Sequence, residues 1–301
     1  MGAEHAHEHG HGGRRGASRK RLALTLLVAA GYMLAEVVGA LISNSLALLA
    51  DAAHMLSDVA ALGLSLFALW LAERPASSRR TYGLYRSEIL AALINGAALI
   101  AIAIYIFVEA YRRLQHPPPV MGEVMMWIAI GGLFANLVGL WILHGGRDAS
   151  LNVRGAWLHV LTDTLGSIGA VVAGGLIWLL GMNWIDPAIS ALIGLLVIYS
   201  AWRLVAESVA VLMESAPSGI DVDELHGAMS RVPGVVEVHD LHVWTITSGW
   251  DCISAHVVKK DGQSPGELLK QLRRTVRDQF GIDHITIQIE PEDFDEEHPK
   301  C

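Results

Sequence analysis

Six apolar stretches dominate the chain: Leu22–Ile42, Leu46–Leu71, Ile89–Val108, Val124–Leu143, Leu158–Leu180 and Ile185–Val205. Each is about as long as a helix needs to be to cross a hydrocarbon core, roughly 20 residues. A backbone in lipid must satisfy its own hydrogen bonds, so runs of this length are expected as helices. The connections are too short to hold a domain on one side, since Ser43-Asn44-Ser45 joins the first two and Gly181-Met182-Asn183-Trp184 the last two. Charged residues make up 17% of the chain, against about a quarter in a soluble domain. The expected fold is an α-helical membrane protein with six transmembrane helices.

Basic residues precede the first stretch, but it is longer than a signal-peptide core and ends in no small-residue cleavage site, so it is expected as a retained span. Charge gives the orientation. Arg14, Arg15, Arg19, Lys20, Arg21, Arg74, Arg79, Arg80, Arg86, Arg147 and Arg154 fall on one side, and Arg112 and Arg113 on the other. Positive loops stay in the cytoplasm, which places both termini there. Three regions follow: a His-rich, disordered cytoplasmic tail over 1–20, a membrane domain over 21–208 and a cytoplasmic domain over 209–301. From Val209 onward there are 17 acidic and 8 basic residues, a net charge of −9. Such an acidic domain argues against a nucleic-acid partner.

The last third changes period. Val222–Arg231 reads as a short helix, and Val235–Thr247 and Asp251–Lys259 as a hairpin around Ser248-Gly249. Ser264–Phe280 has helical spacing at Leu268, Leu269, Leu272, Val276 and Phe280. Its start, Ser264-Pro265-Gly266-Glu267, fits a cap with a capping-box Glu. His284–Glu290 alternates as a final strand. The order αββαβ predicts an α+β domain with both helices on one face of the sheet. Two cysteines, Cys252 and Cys301, are too few for a disulfide framework or a Cys-rich zinc module. Cys252 fits a small buried apolar residue.

The chemistry sits in two matched pairs. His54-Met55-Leu56-Ser57-Asp58 lies in the second stretch and His159-Val160-Leu161-Thr162-Asp163 in the fifth. Residues four apart share a helical face, so each helix offers one imidazole and one carboxylate to a common point. Ionisable groups in a bilayer are costly and need partners. A divalent cation supplies one, because two imidazoles and two carboxylates are ligand types zinc takes, in the number a tetrahedral site needs. Its +2 charge balances Asp58 and Asp163. Without metal the aspartates should hold protons, so metal entry expels protons and metal exit takes them back. The plainer alternative is that each pair is a helix–helix hydrogen bond.

Asp51 lies on the same face, one turn before His54, as an exit-path ligand or a helix-boundary acid. Glu36, Asn44, Asn95 and Asn136 are expected to make interhelical hydrogen bonds. The tail carries His5, His7, His9 and His11. It matches H-E-x-x-H in form, but that protease motif needs a stable helix and this tail is Gly-rich, so loose metal capture fits better. In the C-terminal domain His239, His242, His256, His284 and Glu290 lie on or beside strands, where they could converge on a second metal or be half-buried structural residues.

Asp51-Ala52-Ala53-His54-Met55-Leu56-Ser57-Asp58, Tyr82-Gly83-Leu84-Tyr85-Arg86-Ser87-Glu88-Ile89-Leu90, His159–Asp163, His239-Asp240-Leu241-His242-Val243-Trp244 and His284–Glu290 together resemble the cation diffusion facilitator family, notably its zinc-exporting branch. The resemblance covers nearly the whole chain. It implies a homodimeric, proton-coupled antiporter exporting Zn2+, with Cd2+ and Co2+ as further candidates, from the cytoplasm of a bacterium through its inner membrane. The implied transport site is His54, Asp58, His159 and Asp163. A metallochaperone-like cytoplasmic domain would hold a regulatory metal at His239, His256 and Glu290. Some members carry histidine between the second and third spans, but Glu73–Ser87 has none, and Arg79, Arg80 and Arg86 suggest membrane-surface or dimer contacts instead. The rival readings are a membrane metal sensor that does not transport, and an intramembrane enzyme, which lacks a nucleophile beyond Ser57 and Thr162.

Overall fold

The computed structural model describes residue 27 and residues 29–72, 78–144 and 151–294; the side chains of Asp58 and His159, on helices, lie outside that description. Also outside it lie the N-terminal histidines His5, His7, His9 and His11, together with Cys301. The chain divides into two compact units, Met1–Leu69 with Ile94–Val205, and Trp70–Leu93 with Ala206–Cys301.

The first unit is helical. Its elements are α1 (Ala29–Ser43), α2 (Leu46–Ala72), α3 (Arg86–Gln115), α4 (Gly122–His144), α5 (Leu151–Leu180) and α6 (Ile185–Leu212). The last residues of α2, the first turns of α3 and the last of α6 belong to the second unit. Among the described residues, three helical segments are long and apolar enough to cross a membrane: Arg86–Gln115, Asp163–Leu180 and Ile185–Leu212. Shorter apolar helices cover Ala29–Ser43, Leu46–Ser57 and Gly122–Val138. Large apolar side chains such as Leu34, Trp141, Leu179 and Tyr199 stay exposed, as they do where lipid is the solvent.

α2 is the most enclosed helix near its start. Leu46, Ala50 and Ala53 pack with Leu99, Ala103 and Ile106 of α3 and with Ile193, Val197 and Ala201 of α6. Ala47 and Leu48 pack with Ala40, Met125, Ala173, Ile177 and Ile185. Small residues let helix backbones approach, which is how helices associate without a hydrophobic drive between them. The α4–α5 contact shows the same device: a Cβ at Gly174 would sit 2.8 Å from the Met126 backbone nitrogen.

Asp186, in the first turn of α6, caps α2 rather than its own helix. Its carboxylate accepts hydrogen bonds from Ser45 Oγ at 2.6 Å, Leu46 N at 2.8 Å and Ala47 N at 3.1 Å. It is fully buried. The first N–H groups of a helix have no partner within it and carry partial positive charge, so a carboxylate there meets both needs. Arg113 lies 3.9 Å from the same carboxylate and donates to the Asn44 carbonyl at 2.8 Å. Asn44 ends α1 in a left-handed turn at φ 56°. This accounts for one of the two arginines that break the charge bias: Arg113 is held by local partners, independently of which way the loop faces.

The second unit carries α7 (Val222–Ser230), β1 (Val235–Thr247), β2 (Trp250–Lys259), α8 (Pro265–Phe280) and β3 (His284–Glu290). β1 pairs antiparallel with β2, which pairs parallel with β3. Thr247 faces Trp250 across a two-residue turn. Asp221 caps α7 through the amides of Asp223 and Glu224 at 2.9 and 3.0 Å. The capping box expected for α8 is not formed. Ser264 has cap geometry and Pro265 starts the helix, but the Ser264 side chain makes no cap bond, and Glu267 pairs with Lys270 at 2.9 Å. Proline at the first position already removes one orphan donor.

Strand alternation separates two faces. Ile253, Ala255 and Val257 join Leu225, Met229, Leu268, Leu272 and Val276 of the two helices in one core. Cys252 is fully buried, and burial beside Asp251 pushes its thiol above the ordinary range. That makes it an inert packing residue. The segment ahead of α3 packs on the hairpin. Trp250 meets Tyr85 edge-on at 4.9 Å and Tyr82 at 6.4 Å, and Glu88 accepts hydrogen bonds from Thr247 and Ser248. Arg86, expected at a membrane surface or dimer contact, pairs with Glu214 at 2.7 Å.

Asp186→Ala is expected to remove three hydrogen bonds from the start of α2 and destabilise the helical unit by about 2–4 kcal/mol. The check is a lowered thermal melting midpoint in detergent. An unchanged midpoint would contradict the cap.

Candidate metal centres

The first centre lies between α2 and α5. The apolar faces of these helices are interrupted by polar residues at the same spacing, and the fold brings two of them together: His54 Nε2 is 3.1 Å from Asp163 Oδ1. Both side chains are partly buried, at 24% and 18% exposure. Asp58 follows His54 by four residues on α2, and His159 precedes Asp163 by four on α5; their side chains lie outside the described residues. His54 and Asp163 thus supply one nitrogen and one oxygen donor from two different helices, the donor chemistry of a borderline cation such as zinc.

The second centre lies on the sheet face opposite the helices of the second unit. His239 and His256 are directly paired across β1 and β2, with ring centroids 5.3 Å apart. Glu290 ends β3 and faces Val258, two residues beyond His256, so alternation puts its side chain on the same face as His256. Glu290 Oε2 is 3.0 Å from His239 Nε2, and Glu290 Oε1 is 3.0 Å from His256 Nδ1. The three ligand atoms all lie within 4.8 Å of one another. Glu290 is almost fully buried and is oriented by Gln288, whose amide donates to it at 2.8 Å. A buried carboxylate with two imidazoles is a donor set fit for a divalent metal.

The other two strand histidines are not gathered into this cluster. His284 starts β3, six residues from Glu290, and packs beside Trp250 at 6.2 Å. His242 Nε2 lies 3.0 Å from Asp240 Oδ1. Asp240 was not singled out by its sequence context, yet the structure puts it beside the cluster. It sits at φ 50° where the β1–β2 register shifts between His239 and His242. That bulge carries its other oxygen to 3.7 Å from His256 Nε2. A ligating histidine usually faces a carboxylate through its second nitrogen, so acid and histidine spacing around a bulge was the signal available. Asp186 was likewise missed. An acid followed by proline at a helix start reads as the first turn of its own helix, and nothing local reveals that it caps another.

Residues 22–213 match the cation efflux transmembrane domain, and residues 217–292 match the cation efflux protein cytoplasmic domain. The chain is 44% identical over 289 residues to a cadmium, cobalt and zinc/H(+)-K(+) antiporter of Bacillus velezensis, covering 94% of this chain and 91% of that one. It is 45% identical over 273 residues to the zinc transporter ZitB of Escherichia coli, covering 90% and 87%. A solved structure, the metal-bound C-terminal domain of the CzcD transporter from Cupriavidus metallidurans, is 38% identical, with a TM-score of 0.23, and covers 24% of this chain and 99% of that one. The chain belongs to the cation efflux family, also called the cation diffusion facilitators, whose members are multi-pass membrane transporters of metal cations and not enzymes.

Proposed function

We propose that this protein is a proton-coupled antiporter that exports Zn2+, and by the same donor chemistry Cd2+ and Co2+, from the cytoplasm. Six spans, with both termini cytoplasmic in a bacterial inner membrane, accord with the charge bias along the sequence. The observation that carries the reading is the His54–Asp163 contact between α2 and α5, in a chain whose relatives are named as zinc transporters and proton-linked antiporters. Asp58 and His159 complete a His2Asp2 transport site by their four-residue spacing. The cargo meets two carboxylates whose charge it balances. Protons replace it when it leaves, because metal ligands must be deprotonated to bind. Rocking of α2 and α5 against their neighbours would open this site to one side and then the other.

The second centre, His239, His256 and Glu290, is read as a regulatory cytoplasmic site. Metal there would draw the acidic domains of a homodimer together and bias the membrane unit. The rival reading, a membrane metal sensor that does not transport, needs the same donors but no metal movement.

In proteoliposomes with an imposed pH gradient, Asp163→Ala is expected to lower zinc uptake at least about hundredfold, with the protein still folded. Uptake by the variant at the wild-type rate would move the site elsewhere, and an absence of uptake by the wild type across zinc, cadmium and cobalt would favour the sensor.

His239→Ala combined with His256→Ala is expected to remove one tightly bound zinc per chain by equilibrium dialysis and to flatten the response of transport to cytoplasmic-side metal about threefold or more. An unaltered response would reduce this centre to a structural one.

A further inference from the structure

The helical unit is packed unevenly along its length. Among the described residues of α2, the buried ones all lie from Leu46 to Ala53, while Met55, Leu56, Ser57 and Val59, beyond His54, are half-buried. Among those of α5, the buried ones run from Thr164 to Ile177, on the α5–α6 loop side of Asp163. These two stretches meet at one end of the unit, where Ala47 and Leu48 pack with Ala173 and Ile177. The His54–Asp163 contact therefore marks the edge of the packed half. Between that contact and the α1–α2 turn, Ala50 and Ala53 pack with Leu99 and Ala103 of α3 and with Ile193 and Val197 of α6.

A polar clasp closes the same end. The Asp186 carboxylate of α6, fully buried, accepts from Ser45 Oγ and from the amides of Leu46 and Ala47 at 2.6, 2.8 and 3.1 Å. From α3, Arg113 donates to the Asn44 carbonyl and side-chain oxygens at 2.8 and 3.1 Å. Both α3 and α6 thus grip the α1–α2 turn. For a cation at His54 to leave toward that turn, the seam between α2 and these two helices has to part, and the grip parts with it. Its chemistry suits exchange. The first amides of a helix and a carboxylate can each take water instead, at a small net loss per hydrogen bond. Arg113 Nη1 already stands 3.9 Å from Asp186, so the carboxylate keeps a cation when α2 leaves it. A cap from the local sequence would fix the start of α2 and travel with it, whereas a cap 140 positions away ties two helices together.

We propose that Asp186 is a gating residue of the transporter: its carboxylate holds α2 to α6 while the His54–Asp163 site is closed toward the α1–α2 turn, and it passes to Arg113 when the site opens there. The inference rests on the transport reading above and on its orientation, in which that turn faces outward. This structure is then the state closed to the outside. A weakened clasp shifts the population toward the outward-open state, so access from outside rises as access from inside falls.

The test uses the full-length protein in right-side-out and inside-out membrane vesicles, with zinc chelated and a membrane-impermeant thiol reagent. Ala50→Cys, in the packed stretch, reports access from outside, and Ser57→Cys, beyond it, reports access from inside. Each reporter is combined with Asp186→Asn or with Ser45→Ala and compared with the reporter alone, the modification being read at that position by peptide mass spectrometry. Asp186→Asn is expected to raise the outside rate about fivefold or more and to lower the inside rate by about a third or more. Ser45→Ala, which removes one donor of three, is expected to move both rates the same way, the outside one about twofold. Rates that rise on both sides indicate a loosened fold and overturn the gate. Outside rates unchanged in both variants also overturn it, and if Asp163→Ala still abolishes zinc uptake in proteoliposomes the transport reading stands without it. Undiminished uptake by Asp163→Ala overturns the transport reading first, and the gate with it. Melting midpoints and size exclusion identify a variant that has not folded, and the other variant then decides.

Discussion

A charge placed in hydrocarbon has to be shared, and α2 meets that constraint at its start and again at His54. Its N-terminus takes the Asp186 carboxylate from α6. One turn before His54 the helix carries Asp51. One turn beyond that, His54 meets Asp163 from α5. The start of α2 and His54 are thus each matched by a group on a different helix, while alanines at 47, 50 and 53 let the backbones close around them. Because water cannot rescue a group that loses its partner here, any displacement of α1, α5 or α6 against α2 has to exchange partners.

The cytoplasmic unit solves a different problem with different means. Its core is an ordinary helix-on-sheet layer, filled by Ile253, Ala255 and Val257 against α7 and α8. The alternate strand positions are then free to carry His256 and, two residues past its register partner Gln288, Glu290. The bulge at Asp240 breaks the alternation and brings one more carboxylate near His256. At the other end of the strands, Trp250 and His284 pack with Tyr82 and Tyr85, and the hairpin turn hydrogen-bonds to Glu88. The same three strands therefore carry the histidine–carboxylate cluster at one end and hold the start of α3 at the other.

Much of this was legible in the residues because it is periodic. Apolar runs near 20 residues announce helices in lipid, and the alternation in 284–290 announces a strand. The repeated spacing of His54 with Asp58 and of His159 with Asp163 picks out α2 and α5 before any fold is known. What was not legible depends on which helix lies beside which. Glu36 reads as an interhelical hydrogen-bonding residue, and Asp51 as an exit-path ligand or a helix-boundary acid. Asp186 reads as the first-turn acid of α6 because sequence shows only its own helix. Ser264 and Glu267 carry the letters of a capping box, but Glu267 turns to Lys270, since a lysine three residues on is as good a partner at an exposed helix start. His284 shares its composition with the other strand histidines, and only the register shows it to be at the wrong end of β3 for the cluster.

The central claim is that zinc and protons exchange on the same ligands. The most direct measurement follows zinc influx and proton efflux together in the same vesicles, with an interior pH indicator and a zinc indicator, starting without a pH gradient. Exchange predicts that a zinc gradient alone drives protons outward in fixed proportion to zinc at every zinc concentration. Zinc entry that leaves the interior pH unchanged, with membrane potential clamped, would contradict it.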